Sequence, residues 1–213
     1  MMPTPGQNIE NDWFQRPLPT NIELHPSAHV ESAFSFAAFA SEQQPGLRFA
    51  EAAGIYDHAS FIVGPAGRVE IGPYSCLNAC YLICNQSITI GAHCLVGWGA
   101  VLIDCWPDNS VTRETRRAAI RSAALHPNRV LTTPGQVRGI VVEDNVWIGF
   151  DAVILPGVRL GRGSVIGSRT PVAEDVPPYV VVAGDPPRLI RTLPPDDTDE
   201  ARQHALEEYS VDR

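Results

Sequence analysis

The stretch VWIGFDAVILPGVRLGRGSVIGSRTPV, residues 146–172, decides the fold because aliphatic side chains return in it at a fixed interval. One series of residues, each six positions apart, reads Val142, Ile148, Ile154, Leu160, Ile166 and Val172. The positions two residues earlier hold aliphatic or small side chains: Ile140, Val146, Ala152, Val158, Ser164 and Thr170. A helix repeats about every 3.6 residues and a strand about every 2, so a period of six fits a short strand and a turn. Such repeats in register predict a β-helix, in which the units stack as a solenoid.

The same interval extends towards the N-terminus. The further positions that we expect to face inward are Leu24, Val30, Phe36, Phe49, Ile55, Phe61, Ile71, Leu77, Ile83, Ile90, Val96 and Leu102. The count requires one inserted residue between Ile83 and Ile90. Breaks in the pattern fall at residues 37–46, 64–67 and 104–139. We expect these segments to leave the stack as loops, since the first two contain turn-forming Gly and Pro.

The composition limits the classes of function. The chain has 213 residues, a net charge of −8 and a pI near 5.2, which argues against general binding to nucleic acids. It has no apolar stretch of about 18 residues, so no membrane span is expected. Residues 1–14 lack the basic and apolar regions of a signal peptide. The five cysteines are an odd number, and we expect reduced thiols in a cytoplasmic protein.

Three segments carry a resemblance to a known family. They are IGAHCLVGWGAVL (90–102), VEDNVWIGFDAVILPGVRLGRGSVIGS (142–168) and EDVPPYVVVAGDPPRLIR (174–191). These segments resemble the left-handed β-helix acyltransferases built on hexapeptide repeats, in particular the galactoside and maltose O-acetyltransferases. The resemblance covers roughly residues 47–192. It implies an all-β, left-handed parallel β-helix, a homotrimer, and acetyl-CoA bound in the groove between neighbouring subunits.

The expected organisation follows from these patterns. We expect an N-terminal arm at 1–20, a β-helix domain at 21–192 with a loop excursion at 104–139, and an acidic C-terminal helix or tail at 193–213. Within the excursion, residues 112–125 are rich in Ala and Arg, which predicts a helix capped by Ser110 or Thr112. In the arm, Trp13 and Phe14 are expected to dock on the β-helix.

The resemblance implies which residues lie beside the reactive part of acetyl-CoA. Trp147 is expected near the site of acyl transfer, although simple packing at a trimer contact is the alternative. Phe150, the residue after Trp-Ile-Gly, is expected beside the pantetheine arm. Ser168, at the matching place one coil later, is expected to contact the donor through its backbone. We expect no metal ion.

The resemblance places arginines at the CoA phosphates. Arg188 and Arg191 are expected there, because guanidinium groups form paired hydrogen bonds with phosphate oxygens. A solvated pair on a terminal segment is the alternative. Relatives carry a Thr-Lys pair before the Asp-x-Pro-Pro motif, whereas this chain has Ala173 and Glu174. Arg169 is a candidate substitute for the missing cation.

The catalytic base departs from the family pattern. In the relatives the excursion carries a His-Pro pair whose imidazole acts as general base, since its pKa lies near neutral pH. Counted from Leu102, the pair should fall near Trp106 and Pro107, and Trp106 is not a base. His126 is also followed by proline and is the candidate replacement, with a surface histidine as the alternative. Asp104 is a second candidate, to orient the base or bind an acceptor hydroxyl, with a structural turn role as the alternative.

Two classes of function stay open. The first is an acyltransferase that moves an acetyl group to a hydroxyl of a sugar or other small molecule, with N-acylation of an amino sugar as a variant. The second is an inactive β-helix that serves as a binding or assembly module. A zinc enzyme related to the γ-class carbonic anhydrases is disfavoured. His58 and His93 lack a third histidine, because Trp98 stands where the family has it.

Overall fold

The computed structural model forms a parallel β-helix, which fits the left-handed β-helix expected from the sequence. The structure describes residues 4–107, 112–125, 135–195 and 200. Its strands, numbered in chain order, visit three sheets in turn, and the strands of successive coils pair in parallel. The exceptions are two antiparallel pairs, β12 (Cys105–Pro107) with β13 (Gly135–Val137) and β20 (Val180–Ala183) with β21 (Arg188–Thr192). Among the described residues, no helix is long and apolar enough to cross a membrane.

The three sheets are called A, B and C. Sheet A contains β1 (Ile22–Leu24), β3 (Leu47–Phe49), β6 (Arg68–Ile71), β9 (Ser87–Ile90), β14 (Ile140–Val142) and β17 (Arg159–Leu160). Sheet B contains β2 (His29–Val30), β4 (Gly54–Tyr56), β7 (Cys76–Asn78), β10 (Leu95–Val96), β15 (Trp147–Ile148), β18 (Val165–Ile166), β20 (Val180–Ala183) and the antiparallel β21 (Arg188–Thr192). Sheet C contains β5 (Ser60–Val63), β8 (Tyr81–Cys84), β11 (Val101–Ile103), β16 (Val153–Ile154) and β19 (Pro171–Val172).

One strand from each sheet makes a coil. We number the coils from the N-terminus: coil 2 (47–63), coil 3 (68–84), coil 4 (87–103), coil 5 (140–154) and coil 6 (159–172). Coil 1 has the 3-10 helix η1 (Ala33–Phe36) in place of a third strand. Coil 7 is partial, ending in β20 and β21. Neighbouring coils are separated by the strand spacing of about 4.8 Å.

The six-residue pattern is confirmed in coils 5 and 6. Every residue of the two series between Ile140 and Val172 is buried, with at most 2% of its surface exposed. The inward side chains of coil 2 are likewise buried, and the rings of Phe49 and Phe61 meet edge to face at 5.8 Å. Because inward residues from the three sheets fill the interior completely, the core is one continuous aliphatic column.

Coil 3 differs from the expected count. Ile83 is not an inward residue; Leu82 and Cys84 are buried in its place, and Tyr81 is exposed. The reason is a short corner, since only five residues separate Leu77 from Leu82 where six were expected. The next inward residue, Ile90 in β9, lies eight positions after Leu82, two more than the repeat requires. The inward positions from β9 onward therefore match the predicted ones.

The excursion leaves from sheet C and returns to sheet A. Its base is a two-stranded antiparallel hairpin of β12 (Cys105–Pro107) and β13 (Gly135–Val137). Between them lies α1 (Arg113–Leu125), a helix without a buried residue. Thr112, one of the two expected caps, accepts a hydrogen bond from the Thr115 amide. The expected C-terminal helix falls almost entirely outside the described residues.

The N-terminal arm is fixed by a buried carboxylate. Asp12 accepts hydrogen bonds from the amides of Phe14 and Ala33 and from the hydroxyl of Ser32. These contacts join the arm to the first turn of η1. The ring of Phe14 packs on the core as expected, whereas Trp13 remains 63% exposed.

Candidate functional site

One edge of the β-helix, where the chain turns from sheet B to sheet C, carries three of the six residues expected to bind acetyl-CoA. We call this edge the B–C corner. It carries His58 in coil 2, Trp98 in coil 4, Phe150 in coil 5 and Ser168 with Arg169 in coil 6. Backbone hydrogen bonds link successive turns, as in the 2.7 Å bond from the Arg169 amide to the Phe150 carbonyl. These side chains therefore form a single row along the β-helix axis.

Two large aromatic side chains occupy the middle of the corner. Trp98 is 47% exposed and Phe150 is 51% exposed, and their ring centroids lie 5.5 Å apart in an edge-to-face contact. The Phe150 ring lies over Gly97, where an added methyl group would come within 2.7 Å of it. The Trp98 indole donates a 2.8 Å hydrogen bond to Asp57, which is exposed at the corner in coil 2. The middle of the corner is thus apolar, with a carboxylate on its N-terminal side.

The outer side of sheet B continues this apolar surface. Trp147 is 50% exposed and pairs with Leu95 on one side and Val165 on the other. Val165 pairs in turn with Val181 in β20. Trp147 therefore lies among exposed apolar side chains on the outer side of sheet B, the sheet that leads into the corner. Contiguous exposed apolar side chains of this kind usually mark a binding surface.

Arg188 and Arg191 lie at the C-terminal end of the same surface. In β21 they pair with Ala183 and Val181, which alternate with the buried Val182. Residues three apart in a regular strand would point to opposite sides. Here a register shift between Val181 and Val182 places both arginines opposite outward-facing partners. The β-bulge therefore directs two exposed cations to the side of sheet B that carries Trp147.

Asp104 does not lie in this row. It is fully buried, and its carboxylate accepts hydrogen bonds of 2.7, 2.7 and 2.9 Å from the amides of Asn85, Gln86 and Ser87. Its carbonyl accepts the Arg138 amide at 2.9 Å. With no exposed atom, Asp104 has no surface on which to meet an acceptor hydroxyl. Its other expected role, to orient a base, stays a prediction.

The histidines are spread over different edges. His126 lies outside the described residues, so its expected role as base stays a prediction. His25 bonds to Ser27, and His93 stacks on Tyr74 at 5.2 Å on the edge between sheets A and B. His58 is the imidazole on the B–C corner within the described part of the chain.

The cysteines are poor candidates for a nucleophile. All five are free, and burial raises the pKa of Cys80 to about 12 and that of Cys94 to about 11. Burial also raises the pKa of Cys105, at the root of the excursion. A thiol with a raised pKa stays protonated and unreactive near neutral pH. Within the described residues, no three His, Cys, Asp or Glu side chains are grouped so as to hold a metal ion.

A further pattern in the sequence indicates the position of Trp98. Each of coils 4, 5 and 6 follows its inward aliphatic residue in sheet B with Gly and then an exposed residue: Gly97-Trp98, Gly149-Phe150 and Gly167-Ser168. Aligning the repeats on these glycines places Trp98 in the row of Phe150 and Ser168. By contrast, the contact of Trp98 with Asp57 joins coils that are not adjacent, and no repeat pattern encodes it.

The outer sides of sheets A and C differ in character. Four side chains are charged in the cross-strand series of outward residues on sheet A: Glu23, Arg48, Glu70, Thr89, Val141 and Arg159. The outward residues of sheet C are almost all apolar: Tyr81, Val101, Val153, Pro171, Ile62, Ile83 and Ile103. Sheet A therefore suits contact with water, and sheet C suits contact with protein.

Comparison with known sequences identifies the repeat. Residues 139–170 match the family model described as bacterial transferase hexapeptide (six repeats). The chain is 53% identical over 51 residues to a chloramphenicol acetyltransferase of Escherichia coli, covering 24% of each chain. It is 42% identical over 73 residues to the galactoside O-acetyltransferase of Escherichia coli strain K12, covering 34% of each chain. The aligned stretches thus span only about a quarter to a third of these relatives.

Comparison with solved structures covers more of the chain. A hexapeptide-repeat acetyltransferase from Vibrio cholerae, complexed with acetyl coenzyme A, aligns with a TM-score of 0.51 and 27% identity over 66% of this chain and 65% of that one. A galactoside acetyltransferase in complex with coenzyme A aligns with a TM-score of 0.50 and 26% identity over 79% of this chain and 66% of that one. Residues 139–170 therefore belong to the bacterial transferase hexapeptide repeats, and the chain as a whole resembles the hexapeptide-repeat acetyltransferases.

Proposed function

We propose that the protein is an acetyl-CoA-dependent acyltransferase whose acceptor is a hydroxyl of a sugar or another small molecule. One observation carries this proposal: Trp147, Arg188 and Arg191 lie on the same side of sheet B. The β-bulge in the last coil gives an apolar surface a cationic end. A donor with a phosphorylated head and a long, weakly polar arm fits that arrangement. The acetyl-CoA and coenzyme A complexes of the two structural relatives support the same donor.

The residues fit the donor in order along the axis. Arg188, Arg191 and Arg169 would hold the phosphates through charge-assisted hydrogen bonds. Phe150 and the backbone at Ser168 would line the pantetheine arm, and Trp147 would shield the thioester. When bound, acetyl-CoA supplies an activated acetyl group. The protein supplies its orientation and a surface from which water is excluded.

The outer sides of the sheets support a homotrimer as part of this proposal. The apolar side of sheet C needs a cover, and the polar side of sheet A does not. Packing sheet C of one subunit beside sheet B of the next would bury the first and make a groove along the second. A closed threefold arrangement repeats that contact without leaving a free edge. The groove and the site would then be shared between subunits.

The acceptor class rests on chemistry and on the relatives. The galactoside O-acetyltransferase acts, by its name, on a hydroxyl of a sugar, and the chloramphenicol acetyltransferase on a different small molecule. We propose no nucleic acid or membrane partner, in accord with the acidic net charge of −8. The arrangement of Arg188 and Arg191 favours an enzyme over an inactive module, because a module without a donor has no need of it.

Calorimetry with acetyl-CoA tests the proposal directly. We expect saturable binding to the wild type, with one site for each subunit, and desulfo-CoA should compete for it. A coupled thiol assay with a panel of methyl glycosides, amino sugars and aromatic alcohols should then show release of CoA with at least one class. Absence of acetyl-CoA binding at millimolar concentration would refute the donor assignment.

A further inference from the structure

We propose that Trp98 limits the length of the acyl group that the protein transfers, so that acetyl-CoA is accepted and donors with longer acyl chains are rejected. This role rests on the proposed function, because it concerns the donor at the same site. It adds a residue that selects among acyl groups to the residues that would bind the CoA part of the donor.

Trp98 lies where the acyl chain of the proposed donor would extend. That donor runs from the arginines of β21, along the corner past Ser168 and Phe150, to a thioester beside Trp147 in coil 5. An acyl chain that continues in this direction leaves coil 5 towards coil 4. Trp98 is the exposed corner residue of coil 4, about 4.8 Å along the axis from coil 5. The first side chain in that direction is therefore a large aromatic ring.

The size of the corner side chains changes at this point. In coils 7 and 6 the corner carries Gly184 and Ser168, which match in register and leave the backbone open to a long arm. Phe150 follows in coil 5, and its ring leans over Gly97 in coil 4. There it meets the Trp98 indole at a centroid distance of 5.5 Å. Rings in edge-to-face contact leave no space for additional methylene groups between them.

The Trp98 indole is held in place by a carboxylate. Its N–H donates a 2.8 Å hydrogen bond to Asp57 in coil 2. The corner residue of the intervening coil 3 is Ala79, whose amide and carbonyl bond to the backbone of Tyr56 and Gly99. The indole therefore spans coil 3 above a single methyl group. A hydrogen bond to a charged acceptor holds the ring in one orientation, in which it closes the corner.

Removal of the indole would open the corner over coils 4 and 3. Phe150 would lose the ring against which it packs, and Ala79 would form the floor of the opened surface. Two coils span about 10 Å along the axis, which is enough for a chain of several methylene groups. One methylene group in an apolar site changes kcat/KM by about 10- to 200-fold. We therefore expect the wild type to favour acetyl-CoA over butyryl-CoA, and a variant without the indole to lose this preference.

The acyl preference of Trp98→Ala is compared with that of a matched control, Tyr74→Asn. Tyr74 is also an exposed aromatic residue bonded to a carboxylate, that of Glu51, but it lies on the edge between sheets A and B. Asparagine replaces it because its φ of 57° is left-handed. Release of CoA from acetyl-, butyryl- and hexanoyl-CoA is measured with the best acceptor of the panel. In Trp98→Ala the ratio of kcat/KM for acetyl-CoA to that for butyryl-CoA should fall at least about 10-fold. Tyr74→Asn should keep the wild-type ratio.

A second pair of variants changes only the residue that holds the indole. Asp57→Gly removes the carboxylate, whereas Asp57→Asn keeps an oxygen that accepts the indole hydrogen bond. Glycine and asparagine both tolerate the φ of 51° at this position. We expect Asp57→Gly to shift the acyl preference in the same direction as Trp98→Ala, but by less, and Asp57→Asn to retain the wild-type preference.

Calorimetry without an acceptor gives a readout that does not depend on turnover. Butyryl-CoA should bind the wild type more weakly than acetyl-CoA does, and it should bind Trp98→Ala at least as tightly as acetyl-CoA. Equal turnover of hexanoyl-CoA and acetyl-CoA by the wild type, or an unchanged ratio in folded Trp98→Ala, would overturn the role of Trp98 and leave the proposed function standing. Failure of the wild type to bind acetyl-CoA would instead remove the proposed function itself.

Discussion

The buried carboxylate of Asp104, which follows coil 4, accepts a 2.7 Å hydrogen bond from the backbone amide of Asn85, which follows coil 3. Gln86 and Ser87 donate to the same carboxylate, which therefore sets the turn into β9. We expect Asp104→Asn to lower the free energy of unfolding by about 3 kcal/mol, because charge-assisted bonds are lost in a site closed to water. Thermal unfolding at fixed protein concentration should shift down by about 6–12 °C. The control Glu23→Gln breaks an exposed ion pair with Arg48 and should change little; equal melting temperatures for both variants would contradict the structural role of Asp104.

Arg188 is expected to contribute to donor affinity. Arg188→Ala should weaken acetyl-CoA binding by about 1–3 kcal/mol, the range for a hydrogen bond to a charged group. Isothermal titration calorimetry measures the change. In the variant, the affinity for dephospho-CoA should fall less than the affinity for acetyl-CoA. Arg48→Ala, on the polar side of sheet A, is the matched control. Unchanged affinity in Arg188→Ala would move the phosphates elsewhere, with Arg169 the next residue to test.

The assembly depends on the apolar side of sheet C. Val153→Arg places a charge in the middle of that side and should reduce the sedimentation mass from three times 23.1 kDa to 23.1 kDa. Thr89→Arg places the same charge on sheet A and should leave the trimer intact. Analytical ultracentrifugation distinguishes these masses. A monomeric wild type would remove the shared groove and with it the active site that we propose.

The docking of the arm should depend on pH through Asp12. Burial would raise the pKa of this carboxyl, but hydrogen bonds from Phe14, Ala33 and Ser32 and the charge of His58 hold it below its ordinary value of 3.8. A group with a lowered pKa stabilises the fold fully above its unfolded pKa and loses that contribution as the pH falls through its folded pKa. The stability difference between the wild type and Asp12→Asn should therefore be constant above about pH 5 and shrink below pH 4. Urea unfolding across this pH range measures the difference, and Glu10→Gln, at an exposed carboxylate, should show no such change.

The fold was predictable where spacing alone determines it. Ile148, Ile154 and Leu160 repeat at six because each side of coils 5 and 6 takes six residues, so an inward position recurs at the same place on successive sides. The prediction for Ile83 was wrong because the corner between β7 and β8 is one residue shorter than the repeat requires. The missing length is regained before β9, so only the inward positions within coil 3 are shifted. The sequence shows this change only as the one inserted residue between Ile83 and Ile90, which does not reveal where the register shifts.

The site was predictable only in part, because contacts between distant coils have no period. The expected roles of Phe150, Ser168, Arg188 and Arg191 came from the resemblance to a family. Three residues of separation alone would have placed the two arginines on opposite sides of a strand. The β-bulge that corrects this arises from hydrogen bonding in the last coil. The grouping of Trp13 with His58 likewise depends on the buried carboxylate of the arm, which no local pattern predicts.

The hairpin of β12 and β13 has an evolutionary consequence. Asp104 and Arg138, at its two ends, are joined by a backbone hydrogen bond of 2.9 Å, so the insertion enters and leaves the β-helix at one point. The entropy of closing a longer loop grows only with the logarithm of its length. The segment between these residues can therefore be lengthened, shortened or exchanged between paralogues while the coils on either side keep their register. If the proposed function holds, loop grafting changes the acceptor specificity without rebuilding the coils that we propose bind the donor.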